Sequence, residues 1–297
     1  MLAGTLWGTT GTAQALSAYH GSPLGLGVAR MAVAGVILVA IAGWADRRSM
    51  SSLFRRAGVR RFVVLGAAGV AGYQLCFFAA TRSTGVAVGT LTAIGSAPIL
   101  AGALAAVLGA RPGRAWLVAT AVAVTGLCLL VAPGGDTPAH PLGIAAGLGA
   151  GAAFAGYTWC SRRLLDAGVP QTVVLAAFFA CGTVLTVPLT WRPALAWLTN
   201  PDGLVVVGYL AVIATTLPYL IWIRGMTTTS PAVATTLTLT EPLTAALLGV
   251  LLLGERLDPA AAGGALLIVA GLLLTVVTTI RSRPRTGHDG STGHDGS

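Results

Sequence analysis

Residues 230–274 read "SPAVATTLTLTEPLTAALLGVLLLGERLDPAAAGGALLIVAGLLL", and residues 85–130 read "GVAVGTLTAIGSAPILAGALAAVLGARPGRAWLVATAVAVTGLCLL". One passage echoes the other. Ala87-Val88 matches Ala232-Val233, Thr90 matches Thr235, Gly109 matches Gly254, Arg111 matches Arg256 and Gly126 matches Gly271. The offset is 145 throughout and slips by one at Pro98 and Pro242. Upstream the halves correspond more loosely, "LWG" at 6–8 with "FAG" at 154–156, then Pro23 with Pro170. Self-similarity at a fixed offset marks an internal duplication.

Composition says what the repeated unit is made for. The chain has 297 residues, of which 55% are hydrophobic and 9% charged, against about 25% charged in a soluble domain. This is a membrane protein. Its 18 cations are all arginine, and the net charge is +9. Most of them stand in short gaps between apolar runs, where they act as topology signals and not as a nucleic-acid surface. Cys76, Cys128, Cys160 and Cys181 lie singly inside apolar runs, so neither a disulfide framework nor zinc spacing is expected. The first run opens without a basic segment or cleavage site, so no cleaved signal peptide is expected. That run looks short at its start, which suggests that the natural start lies further upstream.

A helix needs roughly 20 apolar residues to span a bilayer. Ten such runs are expected, at about 2–18, 23–44, 62–81, 85–109, 115–131, 141–160, 170–190, 204–223, 231–253 and 260–280. No period-two alternation speaks for a β-barrel. With the N-terminus inside, 14 arginines fall on the cytoplasmic side, three (Arg82, Arg192, Arg256) fall outside, and Arg30 stays within a span. Both termini are therefore predicted to be cytoplasmic. The end, "RSRPRTGHDGSTGHDGS", carries TGHDGS twice and has almost nothing to bury, so 282–297 is predicted to be a disordered cytoplasmic tail.

The duplication divides the spans into repeats of five, 1–132 and 141–281. An odd number means that the second copy enters the membrane upside down. Inverted repeats can rock about a site near the midplane, the architecture of alternating-access carriers. The fold class expected is thus an all-α integral membrane protein with ten transmembrane helices.

Several motifs carry a family resemblance: "LWGTTG" (6–11), Pro23 followed by Arg30, the Pro98 segment, "TEPLTAALLGVLLLGERL" (240–257) and "GGALLIVAGLLL" (263–274). In this order, over about residues 1–280, the chain resembles the drug/metabolite transporter superfamily and its two halves resemble EamA domains. The resemblance implies export or exchange of small metabolites or drugs across the cytoplasmic membrane. Family members carry amino acids, sugars or toxic amphiphiles, so an amino-acid exporter and a multidrug exporter of lipophilic cations both remain open. The chain departs from symmetry in its charges: Ala110 stands where the second half has Glu255, and Ala177 stands near the counterpart of Arg30.

Glu241-Pro242 is the most costly element of the sequence. By helical rise Glu241 lies about 15 Å into a core roughly 30 Å thick. Pro242 has no N–H and leaves the Thr238 carbonyl without its helical partner. A mid-membrane carboxylate is a functional-site hypothesis by default, here a proton or substrate-amine site. The competing reading is a structural glutamate bonded to neighbouring threonines. Arg30 sits about 10 Å below the outer surface and either pairs with Glu241, brackets a zwitterion with it, or snorkels. Gln14, Gln74 and Ser96, with Trp7, Tyr73, Tyr157 and Trp159, are candidates to line a cavity or to hold helices together. Pro98 and Pro242 are expected to break their helices and gate. Trp191 and Trp197 read as interface anchors, and Glu255 and Arg256 as loop charges. Protons are the candidate coupling ion. No HExxH, GxSxG or P-loop is present, and all seven aspartates lie outside the spans. Enzyme and primary-pump readings fail, no cofactor or metal is expected, and the partners are a small-molecule substrate and the bilayer.

Overall fold

The structure is a computed structural model that describes residues 1–18, 22–110, 112–131 and 140–281, without the side chains of Ala57 and residues 189–196. The repeated TGHDGS tail and Arg111 lie outside the described residues, as do the side chains of Trp191 and Arg192.

Twelve α-helices follow in order among the described residues: α1 Leu2–Ala15, α2 Pro23–Ala45, α3 Arg47–Ser52, α4 Ala57–Val107, α5 Arg114–Val131, α6 Pro141–Asp166, α7 Gln171–Leu195, α8 Pro201–Ala211, α9 Leu217–Gly225, α10 Pro231–Leu237, α11 Thr240–Leu253 and α12 Pro259–Arg281. A π-helical segment, Val212–Thr216, joins α8 to α9. Among the described residues, seven helices are long and apolar enough to cross a membrane, counting Gly58–Val107, Pro201–Gly225 and Pro231–Leu253 as one each.

Element α4 has 51 residues, about 76 Å if straight at 1.5 Å per residue. It is not straight. Gly85 has φ 78° and ψ 162°, a region essentially closed to residues with a Cβ. A Cβ on Gly89 would stand 2.6 Å from the Thr81 backbone nitrogen. The chain therefore doubles back there, between the two runs read as separate spans.

Local chemistry sets the other ends. Pro23, Pro141, Pro201 and Pro231 open helices, where the missing N–H would have no intrahelical partner. Ser22 and Ser230 cap them by accepting from Gly25 and Val233 backbone N–H groups. Gly254 ends α11 in the left-handed region, with the Glu255 N–H donating to the Gly249 carbonyl at 3.1 Å. Gly109 has the same handedness after α4. Hence the repeat preserves the Gly109/Gly254 pair.

Small residues decide the packing. Without water to squeeze out between helices, association rests on close contact. An added Cβ at Gly4 or Gly8 of α1 would meet α11 at Thr240, Glu241 and Thr244; at Gly147 or Gly151 of α6 it would meet α4 at Thr92, Ser96 and Ala97. Gly126 and Gly271 bring α5 and α12 into backbone contact, and α2 packs along α7. Helices of the first half thus pair with helices of the second.

Candidate functional site

The break in the Glu241 helix lies at Thr238-Leu239, between α10 and α11. The Thr238 carbonyl, expected to be left open by Pro242, accepts the Glu241 N–H at 2.8 Å instead. Glu241 thereby abandons the Leu237 carbonyl, which accepts the Thr240 hydroxyl at 2.8 Å. The Thr235 carbonyl accepts from both the N–H and the hydroxyl of Thr238. Threonines satisfy the carbonyls of this turn, which is how broken backbone survives at membrane depth. Pro98, expected to break its helix, stands inside α4 without ending it. The difference has a physical reason: the matching stretch, 90–100, offers Thr90, Thr92 and Ser96 where the second half offers five threonines between 235 and 244.

Two anchors hold the broken helix. On α10, the Thr236 hydroxyl accepts from Trp116 Nε1 at 3.1 Å and bonds the Thr120 hydroxyl at 3.0 Å, both on α5. On α11, the α1 glycines lie against Thr240, Glu241 and Thr244.

Beside the break lies a cavity of about 130 Å³. Trp7, Arg30, Gln74, Tyr157 and Glu241 line it, as do Gln14 and Tyr73. The structure thus brings Arg30 of α2 and Glu241 of α11 to one space, and no ion pair joins them within 4 Å. Among the described residues the one ion pair is Arg162–Asp166 at 2.9 Å. Gln74 also ties α4 to α2, its Nε2 donating to the Gly27 carbonyl at 2.9 Å. Gln14 donates to the Thr10 carbonyl at 3.2 Å.

The remaining candidates lie elsewhere. Ser96 packs where a Cβ on Gly151 would fall. Trp159 meets Phe62 with ring centroids 5.4 Å apart, and the Arg163 guanidinium lies 5.1 Å from its centroid. Neither lines this cavity.

The sequence did not single out Tyr219, Phe154, Phe179 or Thr215, all in the wall. The Tyr219 and Tyr157 hydroxyls bond at 3.2 Å, and Trp7 and Phe179 meet the Tyr219 ring at 5.0 and 4.7 Å. Pro218 was the available signal: a proline inside an apolar run, two residues after the pair Thr215-Thr216, marks irregular backbone.

Such a chamber, walled by aromatic rings with one acid and one base in a bundle of apolar helices, defines a membrane protein built around a small-molecule site. Comparison names the class. The model of the EamA-like transporter family matches residues 1–132 and 141–277. The chain is similar to the "Uncharacterized transporter YwfM" of Bacillus subtilis (strain 168), 39% identical over 92% of this chain and 91% of that one. It is also similar to the "Uncharacterized inner membrane transporter YicL" of Salmonella typhimurium, 26% identical over 92% of each. The "Protein PecM" of Dickeya dadantii is 28% identical over 94% of this chain and 91% of its own. One solved crystal structure, 23% identical, superposes with a TM-score of 0.77 over 94% of this chain and 96% of its own, a likeness of fold. The chain belongs to the EamA-like transporter family, within the drug/metabolite transporter superfamily that its motifs resemble. It is a membrane transporter and not an enzyme.

Proposed function

We propose that this transporter is a secondary carrier that exports or exchanges small zwitterionic metabolites, amino acids or related compounds, across the cytoplasmic membrane by alternating access. Ten spans arranged as two inverted five-helix repeats carry it, with both termini cytoplasmic. The cross-pairing of halves supports that arrangement: α2 with α7, α5 with α12, and α1 on α11 as α6 on α4.

One observation carries the substrate reading. Arg30 and Glu241 line the same cavity without pairing to each other. Opposite charges left apart across a small chamber suit a ligand with a carboxylate for one and an ammonium for the other. The aromatic wall receives its side chain. Protonation of Glu241 when the site is empty would couple the cycle to protons.

Counterflow into proteoliposomes loaded in turn with each of the twenty L-amino acids tests this. At least one should drive accumulation of its labelled form. Accumulation of a lipophilic cation with none of the amino acids would replace the reading by a multidrug exporter.

A further inference from the structure

We infer that Thr215 is a substrate-binding residue: its hydroxyl, freed from its own helix by the π segment, donates a hydrogen bond to the substrate carboxylate alongside Arg30. This deepens the carrier reading above and rests on it.

Spacing comes first. Along α8, the π segment and α9, the wall of the cavity takes Leu210, Thr215 and Tyr219, intervals of five and then four. In a regular α-helix five residues overshoot a full turn by about 140°, and Thr215 would face away from Leu210. The π segment, Val212–Thr216, has i to i+5 bonding, which absorbs the extra residue. It turns Thr215 and Tyr219 toward the chamber together.

Hydrogen bonding comes second. Many threonines in this protein's regular helices return their hydroxyls to a carbonyl of the preceding turn, as Thr84 does to Ala80, Thr158 to Phe154 and Thr244 to Thr240. Thr183 of α7 is an exception, its buried hydroxyl being without a partner. The hydroxyls of Thr215 and Thr216 are buried and make no hydrogen bond. Both stand in the π segment, whose i to i+5 bonding spaces the preceding carbonyls differently from a regular helix. Thr215 is 3% exposed and Thr216 5%, but only Thr215 of the two lines the cavity. A buried hydroxyl without a partner is unfavourable, and a ligand oxygen in the chamber relieves it.

Position selects the partner. The π segment packs against α1 and α2, and α2 carries Arg30. Glu241 belongs to α11, which is not among the helices that the π segment packs closely against. The group near Thr215 is therefore the one that Arg30 attracts, the carboxylate, and the ammonium is left to Glu241.

The test uses purified full-length protein in proteoliposomes. Its substrates are the L-amino acid that the wild-type protein exchanges fastest and the primary amine lacking only that carboxylate. Thr215→Val should raise half-saturation for the amino acid about tenfold, the loss of one hydrogen bond to a charged group. Half-saturation for the amine should not change. Thr215→Ser, which keeps the hydroxyl, should stay near wild type. Thr216→Val, which removes the orphan hydroxyl outside the cavity, should leave exchange unaltered. Should Thr215→Val fail to reach the membrane, Thr215→Ala is measured in its place. Wild-type affinity in the hydroxyl-free variant measured, or an equal loss for acid and amine, overturns the inference. If the wild-type protein exchanges no amino acid, the carrier reading itself falls and takes the inference with it.

Discussion

Gly8 of α1 rests on the backbone of Glu241: a Cβ placed on Gly8 would stand 2.6 Å from the Glu241 carbonyl oxygen and 2.6 Å from Thr244 Cβ. The glycine of "LWGTTG" and the acid of "TEPLT" are one structural unit, although 233 positions separate them in the chain. Backbone cannot retreat from a methyl group as a flexible side chain can, so Gly8→Ala should destabilise the protein by about 1–3 kcal/mol, the usual range for overpacking. Gly11, in the same motif, has nothing within 4 Å of its would-be Cβ. Gly11→Ala should be neutral. Thermal unfolding of the two variants in detergent reads the difference, and equal midpoints would show that α1 and α11 do not pack this closely.

The Trp116–Thr236–Thr120 cluster holds the short α10 onto α5. Thr236→Val keeps the shape and leaves the Trp116 N–H without its acceptor, at a cost of about 1–3 kcal/mol for an unmet buried group. Hydrogen bonds between membrane helices average less, about 0.6 kcal/mol, so the lower end is expected. Trp116→Phe and Thr236→Val combined should cost less than the sum of the two, because they remove the same bond. Additive losses in a double-mutant cycle would show the bond to be energetically idle.

Topology can be checked without a substrate. Cytoplasmic reporters fused at Ser297 and Ser51 should both be active, as the split of 14 arginines against three demands. A periplasmic signal at either position would break the proposed ten-span, termini-in arrangement.

The membrane-spanning character was legible because apolar length is a chemical signal, and the likeness of the halves was legible because four glycine, threonine and arginine matches and one Ala-Val pair share one offset. That the chain turns near Gly85 was legible from the gap between the runs at 62–81 and 85–109. Other features were hidden. The exact break at Thr238-Leu239 depends on which carbonyls the threonine hydroxyls take, and a sequence does not list those partners. The π segment depends on one extra residue being absorbed in a turn, which leaves hydropathy unchanged. Arg30 and Glu241 could be placed at similar depth by helical rise, but their sharing of one chamber follows from how α2 and α11 pack. Ser96 and Trp159 have the composition of cavity residues and point to neighbouring helices instead, a matter of rotation about the helix axis.

Glu241 borders the cavity in the first turn of α11, so a proton on its carboxyl group can pass to or from whatever the cavity holds. If that exchange couples transport to protons, Glu241→Gln should insert and fold as wild type does. Its exchange rate should lose its dependence on pH. An unchanged rate with an unchanged pH profile would leave Glu241 a structural residue. Transport that vanishes at every pH, in protein that still folds, would assign it to substrate binding without a coupling role.

Pro242 poses the complementary question. The Thr238 carbonyl already accepts the Glu241 N–H, so an N–H at position 242 would compete for an occupied acceptor and pull the turn toward a regular helix. Pro242→Ala should therefore change stability little. Its effect belongs on motion: α10 is tied to α5 and α11 to α1, so relative movement of those pairs concentrates at Thr238-Leu239. A helix re-formed across that point resists bending. Turnover should fall several-fold more than affinity does, with half-saturation near the wild-type value, because the groups that line the cavity stay in place. The measurement is initial exchange rate against substrate concentration for wild type and variant in the same liposomes. A raised half-saturation with unchanged maximal rate would show that the proline shapes the cavity and does not serve the hinge.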